Sequence, residues 1–231
     1  LFQGWNTRGN EKYKDLLMDT AAEEIGHVEM IATMIARLLE DAPVYEQEKA
    51  ADDPVIGAIM GGMNPHHAIV SGLGAMPENS TGVPWNAGYI VASGNLLADL
   101  RANVNAESQG RLQVARLREM TDDKGVQDML GFLLARDTMH QNQWIAAIKE
   151  LEEKEGVIVP GTVPDENEKE DIAHTLYNFS DGEESAQFDW LKGKAPDGAE
   201  FHYESGPVAY GEKPVLKPAP KRSHNTPDYG E

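Results

Sequence analysis

Three long stretches of this chain carry apolar residues at helical spacing, and in each the apolar stripe is interrupted by an acid or an imidazole. In residues 10–41 the stripe reads Leu17, Ala21, Glu24, Val28, Ile31, Ile35 and Leu38, and "DAP" ends it at Pro43. Residues 86–120 give Leu97, Leu100, Val104, Glu107, Arg111, Val114 and Leu117, and "TDDKG" turns the chain back. Residues 126–154 give Val126, Leu130, Leu133, Asp137, His140, Trp144, Ala147 and Leu151. An unpaired charge inside such a stripe costs several kcal/mol, of order ~5. The chain must therefore fold into a helical bundle that collects these side chains around something that compensates them.

Their spacing says how they are collected. Glu24 and His27 stand three residues apart and project from one helix face, and Asp137 and His140 repeat the interval. Glu107 and His140 are equidistant from the Asp123–Lys124 junction, inside the turn at 121–125, so two antiparallel helices would set them at one height. The same construction about the turn "NTRGN" sends the counterpart of Glu24 ahead of Leu1, where a fourth helix is expected. A Glu from each of two helices, with acid-x-x-His from each of the other two, is the layout of a dinuclear metal site in a four-helix bundle. Carboxylates offset and bridge two cations, neutral imidazoles cap one each, and open positions remain for substrate. A single Glu-x-x-His pair is usually solvated. Two such pairs in apolar stripes, with Glu107 level with His140, carry the metal reading together.

Composition removes other classes. There is no cysteine, so any metal must be held by His, carboxylate and carbonyl groups. With 20 Lys and Arg against 39 Asp and Glu, the net charge of -19 repels nucleic acid and anionic membrane surfaces. No apolar run reaches the about 18 residues of a membrane span, and no secretory leader is visible. Residues 43–85 are rich in Gly, Pro, Asn and Ser yet apolar, which predicts an ordered excursion crossing over the bundle rather than a helix. After Gly156 the chain is Pro- and Gly-rich, with a helix expected at 166–177 and a last stretch, 205–231, that cannot bury a core of its own. The expected division is a bundle domain, 1–155, and a C-terminal extension or arm, 156–231.

At these residues the chain resembles the manganese catalases, the non-haem dimanganese family. "EEIGH", "NVNAESQGRL" around Glu107, "DTMHQNQW" around His140 and "NPHHAIVSGLGAM" followed by "GVPWN" carry the resemblance over most of residues 1–210. It implies an all-α, ferritin-like four-helix bundle and a cytoplasmic homohexamer that disproportionates hydrogen peroxide to water and oxygen. By the same resemblance each subunit holds two manganese ions: Glu24 bridges them, His27 binds the first, and Glu107 with His140 binds the second. A further glutamate ligand of the family would fall before Leu1. Some members have an arginine before the second-helix glutamate and a glutamate three residues before the last histidine, where this chain has Ala106 and Asp137. Asp137, one methylene shorter, is placed beside the metal pair, and Arg111 is a candidate to offset carboxylate charge.

The resemblance also implies calcium. Asp15 lies half a helical revolution from Glu24, so Asp15 and Asp19 share the outer face. "NFSDG" supplies Asn178, Ser180 and Gly182 as the oxygen donors a hard cation prefers. A solvated acidic face is the plainer account of the two aspartates. His66 and His67 are expected to hydrogen-bond turns of the excursion, and His174, His202 and His224 show no pairing pattern. The rivals for function are a di-iron peroxidase or oxidase on the same bundle, and a structural spore-coat-like protein with a weak site.

Overall fold

A computed structural model describes residues 1–40, 70, 74–79, 81–161, 167–207 and 215. His66, His67 and His224, most of the 43–85 excursion and nearly all of the arm beyond 207 lie outside the described residues. The chain divides into two compact units, Leu1–Pro160 and Gly161–Glu231.

The first unit opens with a short helix α1 (Phe2–Asn6), where the fourth helix was expected to run into the turn "NTRGN", and a turn through Gly9 at φ 74°. Three long helices follow: α2 (Glu11–Glu40), α3 (Leu96–Glu119) and α4 (Lys124–Glu155). The helix expected from residue 86 starts ten residues later, because the lead-in is built for a cap. Gly94 takes φ 84°, Asn95 accepts from Ala98 N at 2.9 Å, and buried Asp99 accepts from Ser93 N and Oγ at 2.8 and 2.7 Å. Asp123 caps α4 through Val126 N, and Gly156 closes it in the left-handed region.

α3 and α4 form the antiparallel hairpin that the turn implied. Ser108 pairs with Gln141 at 2.8 Å and Arg111 Nε donates to Thr138 Oγ1 at 3.1 Å, both pairs straddling the turn almost symmetrically. The apolar core joins Tyr13 and Leu17 of α2, Leu97 and Leu100 of α3, and Trp144, Ala147 and Leu151 of α4. Tyr13 also donates from its hydroxyl to Glu150 at 2.8 Å, and burial with that neighbour pushes its pKa up to about 12. Arg101 ties α3 to the end of α4 through Glu152 and the Ile158 carbonyl, both at 2.5 Å.

The stripe on α2 differs from the one read in the sequence. Its buried positions are Tyr13, Leu17, Thr20 and His27, a seven-residue rhythm, whereas Val28, Ile31 and Leu38 are exposed. The apolar positions past residue 27 thus form a second stripe, and Val28 and Ile31 line a cleft of about 850 Å³ with Met76, Trp85 and Tyr89.

The second unit contains α5 (Glu170–Ala173) and two parallel strands, β1 (Thr175–Asn178) and β2 (His202–Ser205), with Thr175 opposite His202. The helix expected over 166–177 is therefore corrected to one helical turn followed by a strand. Thr-Leu-Tyr favours extended backbone, and β2 satisfies its peptide groups.

Candidate metal centre

The polar side chains of the three stripes meet beside the core. His140 of α4 is 1% exposed, His27 of α2 is 6% and Asp137 of α4 is 9%, so the imidazoles and one carboxylate are almost wholly withdrawn from water. Glu24 lies between the histidines: Oε2 is 3.2 Å from His27 Nδ1 and Oε1 is 2.7 Å from His140 Nδ1. Glu107 Oε1 is 3.6 Å from the same His140 Nδ1 and accepts from Trp144 Nε1 at 3.4 Å. The level pairing of Glu107 with His140 read from the turn is what the hairpin delivers.

Two clusters of donor atoms result, one from Glu24, His27 and Asp137 and the other from Glu24, Glu107 and His140. Within each, the donors lie within 4.8 Å of one another, and Glu24 belongs to both. Asp137, placed beside the ligands in the sequence reading, stands close enough to count among the donors of the first cluster. The histidine contacts with Glu24 differ in kind. His27 Nδ1 is aligned for a hydrogen bond, but the short approach of His140 Nδ1 to Glu24 Oε1 is not, and both atoms are left without a hydrogen-bond partner. His140 Nε2 and His27 Nε2 are likewise buried and unsatisfied. Glu24 Oε1 and His140 Nδ1, buried 2.7 Å apart with no hydrogen bond, are costly unless a cation takes their lone pairs.

Charge crowding has measurable consequences. Burial, and then the charge of Glu24, push the Glu107 pKa up to about 7, offset in part by Trp144 and His140. Burial and Glu24 also raise Asp137, with His27, His140 and Arg111 pulling the other way. Arg111 thus acts on the site through charge, while its Nε is engaged by Thr138. A carboxyl raised in the folded state stabilises the metal-free fold below its unfolded pKa, and that contribution is lost as pH rises through the folded value. Metal-free protein should accordingly melt at a falling temperature between pH 5 and about 7, and manganese should reverse the trend by favouring the ionised carboxylates. Thermal melts across that range should show a flatter slope for Glu107→Gln; an unchanged slope would remove Glu107 as its source.

Two residues at this site escaped the sequence reading. Glu23 accepts from Arg136 through Nε at 2.5 Å and Nη2 at 3.1 Å, which holds its pKa down to about 2. Both lie next to recognised positions, Glu24 and Asp137. The signal that would have found them is the acid doublet and the Arg-Asp doublet on facing helices. Trp144 had been read as core alone and also holds Glu107.

Asp15 and Asp19 are exposed on α2, as the helical rotation required. In the second unit Asn178 Oδ1 accepts from Ser180 N and Oγ at 2.9 and 2.7 Å, and Gly182 O accepts from Asn178 Nδ2 at 2.8 Å. The three candidate donors thus form one turn.

The family model for manganese containing catalase matches residues 1–229. The chain is 77% identical over 226 residues to a manganese catalase of Bacillus subtilis, covering 98% of this chain and 83% of that one. It is 53% identical over 225 residues to the manganese catalase of Lactiplantibacillus plantarum, covering 97% and 83%. Among solved structures it resembles KatB, a manganese catalase from Anabaena, with a TM-score of 0.63 at 25% identity, over 87% of this chain and 78% of that one.

A helical bundle that gathers carboxylates and imidazoles for metal is thus a catalase scaffold of the non-haem class. The chain belongs to the manganese-containing catalase family. Its ferritin-like bundle and its function as a manganese catalase, acting on hydrogen peroxide, follow from that membership, and neither the di-iron enzyme nor the shell protein is favoured. No helix among the described residues is long and apolar enough to cross a membrane.

Proposed function

We propose that Glu24, His27, Glu107 and His140 hold two manganese ions, with Glu24 shared, and that hydrogen peroxide is disproportionated to water and oxygen at this centre. The observation that carries this is the pair of donor clusters that share Glu24, with Glu24 Oε1 and His140 Nδ1 buried and unsatisfied, in a set of carboxylates and imidazoles that suits a first-row metal. Bound manganese supplies a reversible change of oxidation state and open positions for peroxide. Glu24 and Glu107 balance cationic charge, and Trp144 orients the Glu107 carboxylate. Asp137, whose pKa is raised by burial, accepts a proton from peroxide and returns it to the departing water. A largely apolar cleft of about 470 Å³ bounded by Leu17, Ala21, Ala106 and Trp144 reaches Glu24 and Glu107, an approach wide enough for peroxide.

Oxygen evolution from peroxide by the purified chain tests this. The rate should rise with bound manganese, fail to follow iron, and resist haem-directed inhibitors. Evolution without manganese, or none with a full complement, would overturn it.

We extend the proposal to a cytoplasmic homohexamer, a bundle domain over 1–155 and an arm over 156–231, and a calcium ion held by Asp15, Asp19, Asn178, Ser180 and Gly182. The family resemblance supports the assembly and compartment, and a mass in solution other than that of six chains would remove the hexamer. Support for calcium is the family resemblance, together with two exposed aspartates one turn apart on α2 and a turn of the second unit that gathers amide, hydroxyl and carbonyl oxygens. Calcium chelation is expected to lower the thermal midpoint before manganese is lost. Joint Asp15→Ala and Asp19→Ala substitution should abolish that sensitivity; sensitivity that survives it would reject the site.

A further inference from the structure

The two imidazoles of the centre are flanked by adjacent carboxylates on opposite edges. Glu24 meets both Nδ1 atoms, at 3.2 Å for His27 and 2.7 Å for His140. Glu23, the preceding residue and about 100° around the helix, meets both Nε2 atoms, Oε1 at 3.5 Å from His27 and Oε2 at 3.1 Å from His140. The rings lie 5.8 Å apart and tilted by 31°, so one carboxylate can reach both. Arg136 grips Glu23 with two nitrogens of its planar fork, which sets the carboxylate plane and leaves each oxygen facing one ring.

We infer that Glu23, clamped by Arg136, is a positioning residue for the metal site: it accepts hydrogen bonds from the Nε2–H groups of His27 and His140 and so presents their Nδ1 lone pairs to the metals. The inference rests on the reading of both histidines as manganese ligands. A neutral imidazole has one protonated nitrogen, and the acceptor that takes this proton decides which nitrogen is left to bind metal. Both Nε2 atoms are buried without an aligned partner, and Glu23 is the carboxylate beside both. With Nδ1 given to a metal, each ring would be held so that its Nε2–H can donate to the Glu23 oxygen beside it. Glu23 is the acid whose charge Arg136 already balances, so it can accept two donors without adding to the repulsion around Glu24, Glu107 and Asp137.

The test follows manganese release from the loaded full chain into excess EDTA near neutral pH, beside the thermal midpoint. Glu23→Gln should release manganese about ten- to a hundredfold faster at a nearly unchanged midpoint, and Glu23→Asp should recover part of the loss. Release at the wild-type rate from Glu23→Gln would overturn the inference, as would equal acceleration in Gln and Asp variants with a matching fall in midpoint. If Glu23→Gln does not fold, Arg136→Gln decides: loosening the clamp should speed release several-fold, and an unchanged rate would overturn the inference. His140→Ala separates the two readings. A full manganese complement in that variant would sink the ligand assignment, whereas lost manganese there with wild-type release from Glu23→Gln would sink the role of Glu23 alone.

Discussion

Replacing His140 with alanine should reduce oxygen evolution below about one-hundredth of the wild-type rate while leaving the helices in place. Removing a group that merely orients a ligand already costs about ten- to a hundredfold, and His140 is proposed as a ligand itself. It is 1% exposed, lies 2.7 Å from Glu24 and 3.6 Å from Glu107, and both its ring nitrogens lack hydrogen-bond partners. Its loss should empty the cluster shared with Glu107, whereas the cluster of Glu24, His27 and Asp137 keeps its imidazole. Manganese per chain is then expected to fall by about half or more. Alanine is a better helix former than histidine, and the polar space left behind can hold water, so circular dichroism should show little change. A variant that evolves oxygen at the wild-type rate would place the chemistry elsewhere.

The second large effect is on stability. Leu100 is fully buried among Tyr13, Leu17, Trp144 and Leu151, at the join of all three long helices. Leu100→Ala should cost about 2 to 5 kcal/mol, the transfer term plus the cavity it leaves. For a chain of this size that corresponds to a fall of roughly 4 to 20 °C in the midpoint. The protein that remains folded should keep most of its activity, because Leu100 belongs to the apolar core and is not one of the donors in the two clusters. A shift under about 1 °C would mean that the core does not depend on this contact.

The site was legible because charge inside an apolar stripe is an anomaly that only a partner resolves. The turn at 121–125 then paired Glu107 with His140 by counting alone, and the hydrogen bonds of Ser108 with Gln141 and Arg111 with Thr138 lie on the same register. What counting missed was set by neighbours rather than by period. Val28 and Ile31 fit a helical stripe as well as Thr20 and His27 do, yet only the second set is buried, because burial depends on which face meets α3 and α4. Glu23 and Arg136 stand one residue off the stripes, where periodicity assigns no role, and only the packing of the helices brings them face to face. The strand at Thr175–Asn178 was read as helix because its partner, His202–Ser205, is remote in sequence. The late start of α3 was set by Asn95 and Asp99 capping the backbone, a side-chain detail that apolar periodicity does not report.

Anomalous diffraction from manganese-loaded crystals, recorded on either side of the manganese absorption edge, tests the central claim most directly. Two edge-dependent peaks are predicted, one beside His27 and the other beside Glu107 and His140, with a Glu24 oxygen about 2.0 to 2.3 Å from each. A single peak that Glu24 does not touch, or peaks remote from both histidines, would contradict the account.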